Sequence, residues 1–292
     1  MVASAGEAGL TAPPRRLIGR HGGGNVPPAT GPVEGFDPAG GIALLDDLKV
    51  ACVFLTRLPV RLTHEVSLRD LADAVYAFPV VGVLVGAAGG IAYVLLGQIG
   101  LAGLPAAVLA LMVMVAITGA LHEDGLADTA DAIGVGSNRQ RALEVMRDSR
   151  IGSYGAVAVA FALLARASAY GLFWEPGFFL RAAVCAAAVS RAAIPVVMLL
   201  QPSAKSSGLA ASAGRPEPGR VYAAVGIAVA LALLLLSGAA FKALAAAALA
   251  AAAAAWWLGR RFGGCTGDTL GAVQQAAEIG FLMALATELS PG

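Results

Sequence analysis

Charge is scarce in this 292-residue sequence: 13% of the residues are Asp, Glu, Lys or Arg, against 58% that are hydrophobic. Soluble domains carry about 25% charged residues, so a surface this poor in charge does not stay in water. The mean hydropathy of +0.76 makes a lipid bilayer the natural solvent. There is no excess of one sign either. The net charge is +1, and with no basic patch interleaved with aromatics nothing points to nucleic acid. The only cysteines are Cys52, Cys185 and Cys265, with no CxxC pair. That excludes a disulfide framework or structural zinc site and reads them as small neutral thiols. Arg15-Arg16 is not followed by a hydrophobic stretch, so a cleaved twin-arginine signal is not expected.

What is present is a series of long apolar runs. Backbone groups in lipid must be satisfied internally, so runs of about 20 apolar residues read as helices. Candidates are 75–97, 104–121, 154–173, 181–200, 221–238 and 240–258. A seventh, 272–289, is weaker because Gln274, Gln275, Glu278 and Glu288 interrupt it. The runs are Ala- and Leu-rich without strand alternation, which favours helices over a barrel. The expected fold is therefore an all-α, polytopic membrane bundle of six or seven spanning helices. Gly82, Gly86 and Gly90 recur at the spacing of close helix contact. Residues 1–42, rich in Gly, Pro and Ala, are expected to be a disordered tail ahead of a membrane-embedded domain over 43–292.

Basic residues resist translocation and so set sidedness. Segments 122–153, 201–220 and 259–271 carry Arg139, Arg141, Arg147 and Arg150; Lys205, Arg215 and Arg220; and Arg260 and Arg261. The segment ahead of the first run has Lys49, Arg57, Arg61 and Arg69, whereas 98–103 is uncharged and 174–180 has only Glu175. The expectation is a multi-pass membrane protein whose N-terminus and longer polar loops share the cytoplasmic face.

Those loops hold the unusual residues. In His122-Glu123-Asp124-Gly125-Leu126-Ala127-Asp128-Thr129-Ala130-Asp131, the three aspartates fall at i, i+4 and i+7, one stripe of a helix. Like charges so arranged repel, and a bound cation removes that cost. Mg²⁺, a hard ion that takes carboxylate and phosphate oxygens together, is the expected one. Ser137-Asn138-Arg139-Gln140 has the form of a capping box with Ser137 as N-cap, opening an interfacial helix with Ala142, Leu143, Val145 and Met146 on its apolar side. Arg147 and Arg150 beyond it can bind phosphate oxygens, and Asp148 can complete a metal site. The last loop, Gly263-Gly264-Cys265-Thr266-Gly267-Asp268-Thr269-Leu270-Gly271, offers close backbone approach and N–H groups to an anion. It is no Walker A loop, since no Gly-Lys-Ser/Thr follows. Arg191, mid-span, costs roughly 2.5–3.5 kcal/mol on insertion scales and needs a partner, an acid of the cluster or Glu278. Arg57 is an anion contact or an interfacial anchor. His64 and His122 have no ligand spacing.

Four stretches together resemble the cobalamin synthase (adenosylcobinamide-GDP ribazoletransferase) family: Phe54-Leu55-Thr56-Arg57-Leu58-Pro59, the His122–Asp131 run, Asp148-Ser149-Arg150-Ile151-Gly152-Ser153-Tyr154-Gly155, and Gly264-Cys265-Thr266-Gly267-Asp268-Thr269-Leu270-Gly271-Ala272. The resemblance spans about 43–290. Ala132 departs from it, because the family has glycine after the third aspartate. The resemblance implies a Mg²⁺-dependent membrane transferase of cobalamin nucleotide-loop assembly, making 43–292 the catalytic domain. It would join adenosylcobinamide-GDP to α-ribazole or its 5′-phosphate, with the 3′-hydroxyl as nucleophile and GMP released. Mg²⁺ ligands are then Asp124, Asp128, Asp131 and Asp148, and the general base is Asp131 or Asp268. Substrate contacts come from Arg57, Arg147, Arg150, Thr266 and Gly267. Spacing does not separate ligand from base, and a homo-oligomer is left open. Two other readings stand beside it. A CDP-alcohol phosphotransferase also clusters aspartates, but needs an Ala-Arg pair after its first Asp-Gly, where Leu126-Ala127-Asp128 stands here. A transporter would use Glu278 and Arg191 as an ion path.

Overall fold

The computed structural model describes residues 38–62, 68–148, 150–205 and 213–289, with 38–43, 68–70 and 289 described for backbone alone. Residues 1–37 of the expected tail, His64 and Ser149 lie outside it. Among the described residues the elements are helices, with one isolated bridge between Ser203 and Cys265. Helix α1 (Pro38–Leu55) begins inside the segment expected to be tail. Helix α2 (Leu68–Asp73) runs through a 3₁₀ turn, Ala74–Ala77, into α3 (Phe78–Gln98). Then come α4 (Gly103–Thr118), α5 (Leu121–Gly134), α6 (Arg139–Val145), α7 (Ser153–Gly171), α8 (Pro176–Leu200), α9 (Pro218–Leu236), α10 (Ala239–Phe262) and α11 (Gly267–Leu289).

Among the described residues six helical stretches, Leu71–Gln98, Ser153–Gly171, Pro176–Leu200, Pro218–Leu236, Ala239–Phe262 and Gly267–Glu288, are long and apolar enough to cross a membrane. The bent pair α4–α5 is the seventh if counted as one span. The expected span 104–121 is thus interrupted: α4 stops at Thr118 and α5 sets off at 86° to it. The cause is local. Gly119 and Ala120 both adopt left-handed backbone, φ 64° and 57°, and their N–H groups close the end of α4 on Ala116 and Val115, the pairing of a Schellman cap.

The run expected to be weakest proves the most central. Within its apolar window α11 is 78% buried, whereas α10 is 17% buried and faces outward. Gln274, Gln275 and Glu278 are polar because they meet other helices and not lipid. Helices α3 and α8 pack through the expected glycine stripe. A Cβ on Gly82 would meet the Ala187 carbonyl, and one on Gly86 the Ala183 carbonyl, each at 2.4 Å, so only glycine admits this backbone contact. Helix α6 starts one residue later than the capping box implied. Asn138, not Ser137, is the N-cap, its side chain accepting the Arg141 N–H at 3.0 Å. Helix α5 runs straight through Ala132, which is fully buried in the core.

Candidate active site

The site forms where the start of α11 crosses α5 at one end of the bundle. Thr266 and Thr269 open α11 reciprocally: each backbone N–H donates to the other's hydroxyl, at 2.8 and 3.1 Å. This satisfies two otherwise orphan N–H donors at a helix start. Ahead of them Gly264, at φ +144°, lies against the Pro202 carbonyl, where a Cβ would approach to 2.2 Å. That contact lets Cys265 N–H donate to Pro202 and Ala204 N–H donate to Cys265, at 2.9 and 2.8 Å. The short ladder carries Lys205 to Asp268, Nζ to Oδ2 at 3.5 Å, and the Thr266 hydroxyl reaches the same oxygen at 3.4 Å.

On the facing side, a Cβ on Gly125 would lie 2.8 Å from the Asp268 carbonyl oxygen, so the two backbones touch. This places Asp124 and Asp128, the first two members of the aspartate stripe, beside Asp268. Asp131 is held differently. Its carboxylate accepts the Gly152 N–H at 2.7 Å and the Gly155 N–H at 2.9 Å, capping the start of α7 with a charge suited to a helix N-terminus. Asp128 lies in α5, past the 86° bend from the apolar α4 and within the polar stretch 122–131. Its carboxyl is pushed up to about 6, first by burial and then by Asp124, Asp268 and Asp131, with Lys205 opposing.

Between Asp124 and Asp268 opens a cavity of about 170 Å³, lined also by His122 and by apolar side chains such as Phe54, Leu71, Phe78 and Ile194. A wider groove of about 530 Å³ is lined by Arg139, Arg147 and Lys205, with Glu144 the one acid among them, and Lys205 links it to Asp268. Gly267 lines the cavity and Thr266 is buried beneath it. Arg57 lies across Gly119 at the α4–α5 bend, its backbone N–H donating to Ile117 at 2.7 Å. Asp148 is not brought to the other carboxylates. It forms a two-pronged pair with Arg150 at 2.7 and 3.0 Å, exposed at the surface. That pair holds its carboxyl down to about 2 and occupies both groups with each other.

The acidic donors fit a hard cation: they are mutually repelling carboxylate oxygens with no thiol among them, and His122 is an imidazole lining the same cavity. No group of three His, Cys, Asp or Glu among the described residues forms a ready-made metal cage.

Sequence reasoning left two features unread. Lys205 was one of several loop cations, and only the Cys265–Ala204 pairing sets it on Asp268. Deeper, Arg166 of α7 pairs with Glu123 at 2.7 Å and with Glu278 at 3.5 Å. A charge in the middle of the run 154–173 was the available signal. Glu278 thus has Arg166 as its direct ion-pair partner, while Arg191 donates to the Ala187 carbonyl at 3.0 Å.

Comparison with known proteins decides between the readings. A family model, cobalamin-5-phosphate synthase, matches residues 47–286. The chain belongs to this enzyme family. It is 43% identical to the adenosylcobinamide-GDP ribazoletransferase of Mesorhizobium japonicum, over 85% of this chain and 95% of that one. It is 45% identical to the enzyme of that name from Bradyrhizobium diazoefficiens, over 83% and 94%. It is 42% identical to that of Rhizobium meliloti, over 83% and 97%. No solved structure matches. Membership in the synthase family sets aside the transporter and CDP-alcohol phosphotransferase readings. The matched span leaves out the first 46 residues and includes every carboxylate of the site.

Proposed function

We propose that this chain couples adenosylcobinamide-GDP to α-ribazole or α-ribazole 5′-phosphate, releasing GMP, with Mg²⁺ held at the α5–α11 crossing. The observation that carries the reading is the meeting of Asp124, from the Asp-rich helix, and Asp268, from the Gly-rich loop, at one cavity, with Asp128 close enough for both to push its carboxyl up. Asp124 and Asp128 hold the metal. Bound there, Mg²⁺ supplies the charge neutralisation that a pyrophosphate linkage and a departing GMP phosphate require.

The chain's own groups do the rest. Asp268, set by Lys205 and Thr266, accepts the proton of the attacking ribazole hydroxyl. Asp131 is the lesser candidate for that role, because both its oxygens already accept N–H groups of Gly152 and Gly155. Arg139, Arg147 and Lys205 line a groove of nucleotide size and orient phosphates. A cavity of about 170 Å³ is below the roughly 300–1,000 Å³ of sites that enclose a drug-sized ligand. Only the reacting part of either substrate enters, and the corrin stays at the mouth. The concentration of basic residues at this end supports a cytoplasmic-facing site in the plasma membrane.

The test is chemical. Detergent-solubilised protein given Mg²⁺, adenosylcobinamide-GDP and α-ribazole should release GMP in step with loss of both substrates. GMP release that does not depend on α-ribazole would refute coupling.

A further inference from the structure

Behind the carboxylate cavity lies a second polar cluster that the reaction does not use directly. Glu123, Arg166, Arg191 and Glu278 come from α5, α7, α8 and α11, and each is no more than 6% exposed. Arg166 stands between the two acids: Nη2 donates to Glu123 Oε1 at 2.7 Å and Nη1 to Glu278 Oε1 at 3.5 Å. Neighbouring side chains add to these pairs, the Ser190 hydroxyl donating to Glu278 Oε2 at 3.4 Å. Gln275 donates to the same Glu123 oxygen at 3.3 Å, and Gln274 to Glu278 Oε2 at 2.6 Å. Two positive and two negative charges thus balance inside the bundle, with Arg191 supplying the second positive charge.

Balanced charges of this kind are poor stabilisers. Their desolvation offsets their attraction, and well-packed neutral side chains usually serve stability as well. What such a cluster does fix is geometry. Helix α5 needs that, since it follows two left-handed residues and its start is not a continuation of α4. Glu123 immediately precedes Asp124, so the rotation of α5 about its axis that seats Glu123 on Arg166 also sets where Asp124 points. Glu278 ties the same guanidinium to α11, three turns beyond Asp268.

We propose that Arg166 is a positioning residue: by bridging Glu123 and Glu278 it fixes the rotation of α5 against α11, so that Asp124 and Asp128 face Asp268. This rests on reading those aspartates as the reacting centre. Without Arg166 two buried carboxylates repel, and α5 turns or moves away from α11.

Three variants test it: Arg166→Gln, Arg166→Lys, and the double variant Arg166→Gln/Glu278→Gln, which keeps the buried charge balanced and so guards against simple misfolding. Thermal unfolding, kcat, the KM for each organic substrate, and Mn²⁺ binding by electron paramagnetic resonance are measured on each. The double variant is expected to unfold near the wild-type temperature with both KM values within about twofold. Its kcat should fall at least tenfold and its Mn²⁺ affinity should weaken. Arg166→Lys, which can reach one acid but not fork between two, should recover part of kcat. A double variant with wild-type unfolding, kcat and Mn²⁺ affinity overturns the proposal and leaves Arg166 a packing residue. Wild-type protein that releases no GMP overturns the functional reading instead, and the Mn²⁺ comparison then decides for Arg166.

Discussion

Asp128 shows how one side chain reports the condition of the whole site. Burial and neighbouring carboxylates push its carboxyl up to about 6, against about 3.9 for a free aspartate, so the folded chain holds its proton more tightly than the unfolded one. Ionisation therefore opposes folding. The opposition is absent below about pH 4, grows as pH rises through the interval to about 6, and is complete above it. In chelator, Asp128→Asn should melt a few degrees higher than wild type at pH 8 and equal to it at pH 4. Added Mg²⁺ should remove the difference at pH 8 by stabilising the wild type. A variant that melts lower than wild type at pH 8 in chelator would show that neither burial nor the neighbouring carboxylates make ionised Asp128 costly to the fold. The aspartate stripe was legible in the sequence because helical periodicity alone puts i, i+4 and i+7 together. The separate position of Asp148 was not, since nothing in local spacing says that Arg150 folds back onto it.

At the scale of elements, the crossing of α5 and α11 depends on Gly125. A methyl group there would sit 2.8 Å from the Asp268 carbonyl, and backbone cannot turn aside as a side chain can. Gly125→Ala should leave the bundle assembled, push the helices apart by a fraction of an ångström, and lower kcat. Displacements of about 1 Å at reacting groups cost on the order of 100-fold, so a loss of 10- to 100-fold is expected in a GMP-release assay. Unchanged turnover would mean the crossing is not part of the site. Helix positions were readable wherever apolar runs were uninterrupted. Helix α11 was undervalued because its glutamines and Glu278 look like interruptions until the neighbours they bond are known. Helix α1 went unread because Gly40, Gly41 and the charged Asp46, Asp47 and Lys49 break its pattern, although Lys49 in fact pairs with Asp46 at 2.7 Å. The 86° turn between α4 and α5 was hidden in Gly119-Ala120, since alanine seldom signals left-handed backbone.

For the whole molecule, the bundle gathers its basic loops at the end that carries the aspartates. Arg139 lies over Gly263, Arg261 donates to the Gly136 carbonyl, and Lys205 meets Asp268. The three native cysteines are buried, so introduced ones label cleanly. In intact cells a membrane-impermeant maleimide should modify Trp174→Cys, in the sparsely charged loop, and spare Ser137→Cys until the cells are lysed. Modification of Ser137→Cys from outside would invert the orientation.

The central claim, that Asp124 and Asp128 hold Mg²⁺ for GMP-releasing transfer while Asp148 stands apart, is tested most directly by titrating Mg²⁺ against GMP release. The comparison takes wild type, Asp124→Asn, Asp128→Asn and Asp148→Asn. The account predicts that Asp124→Asn and Asp128→Asn each lose activity by about 100-fold or more, the scale for removing a group that stabilises transition-state charge, with half-saturation moved to higher Mg²⁺. Asp148→Asn should keep turnover within a few-fold of wild type. Normal Mg²⁺-dependent turnover in Asp124→Asn and Asp128→Asn would contradict it.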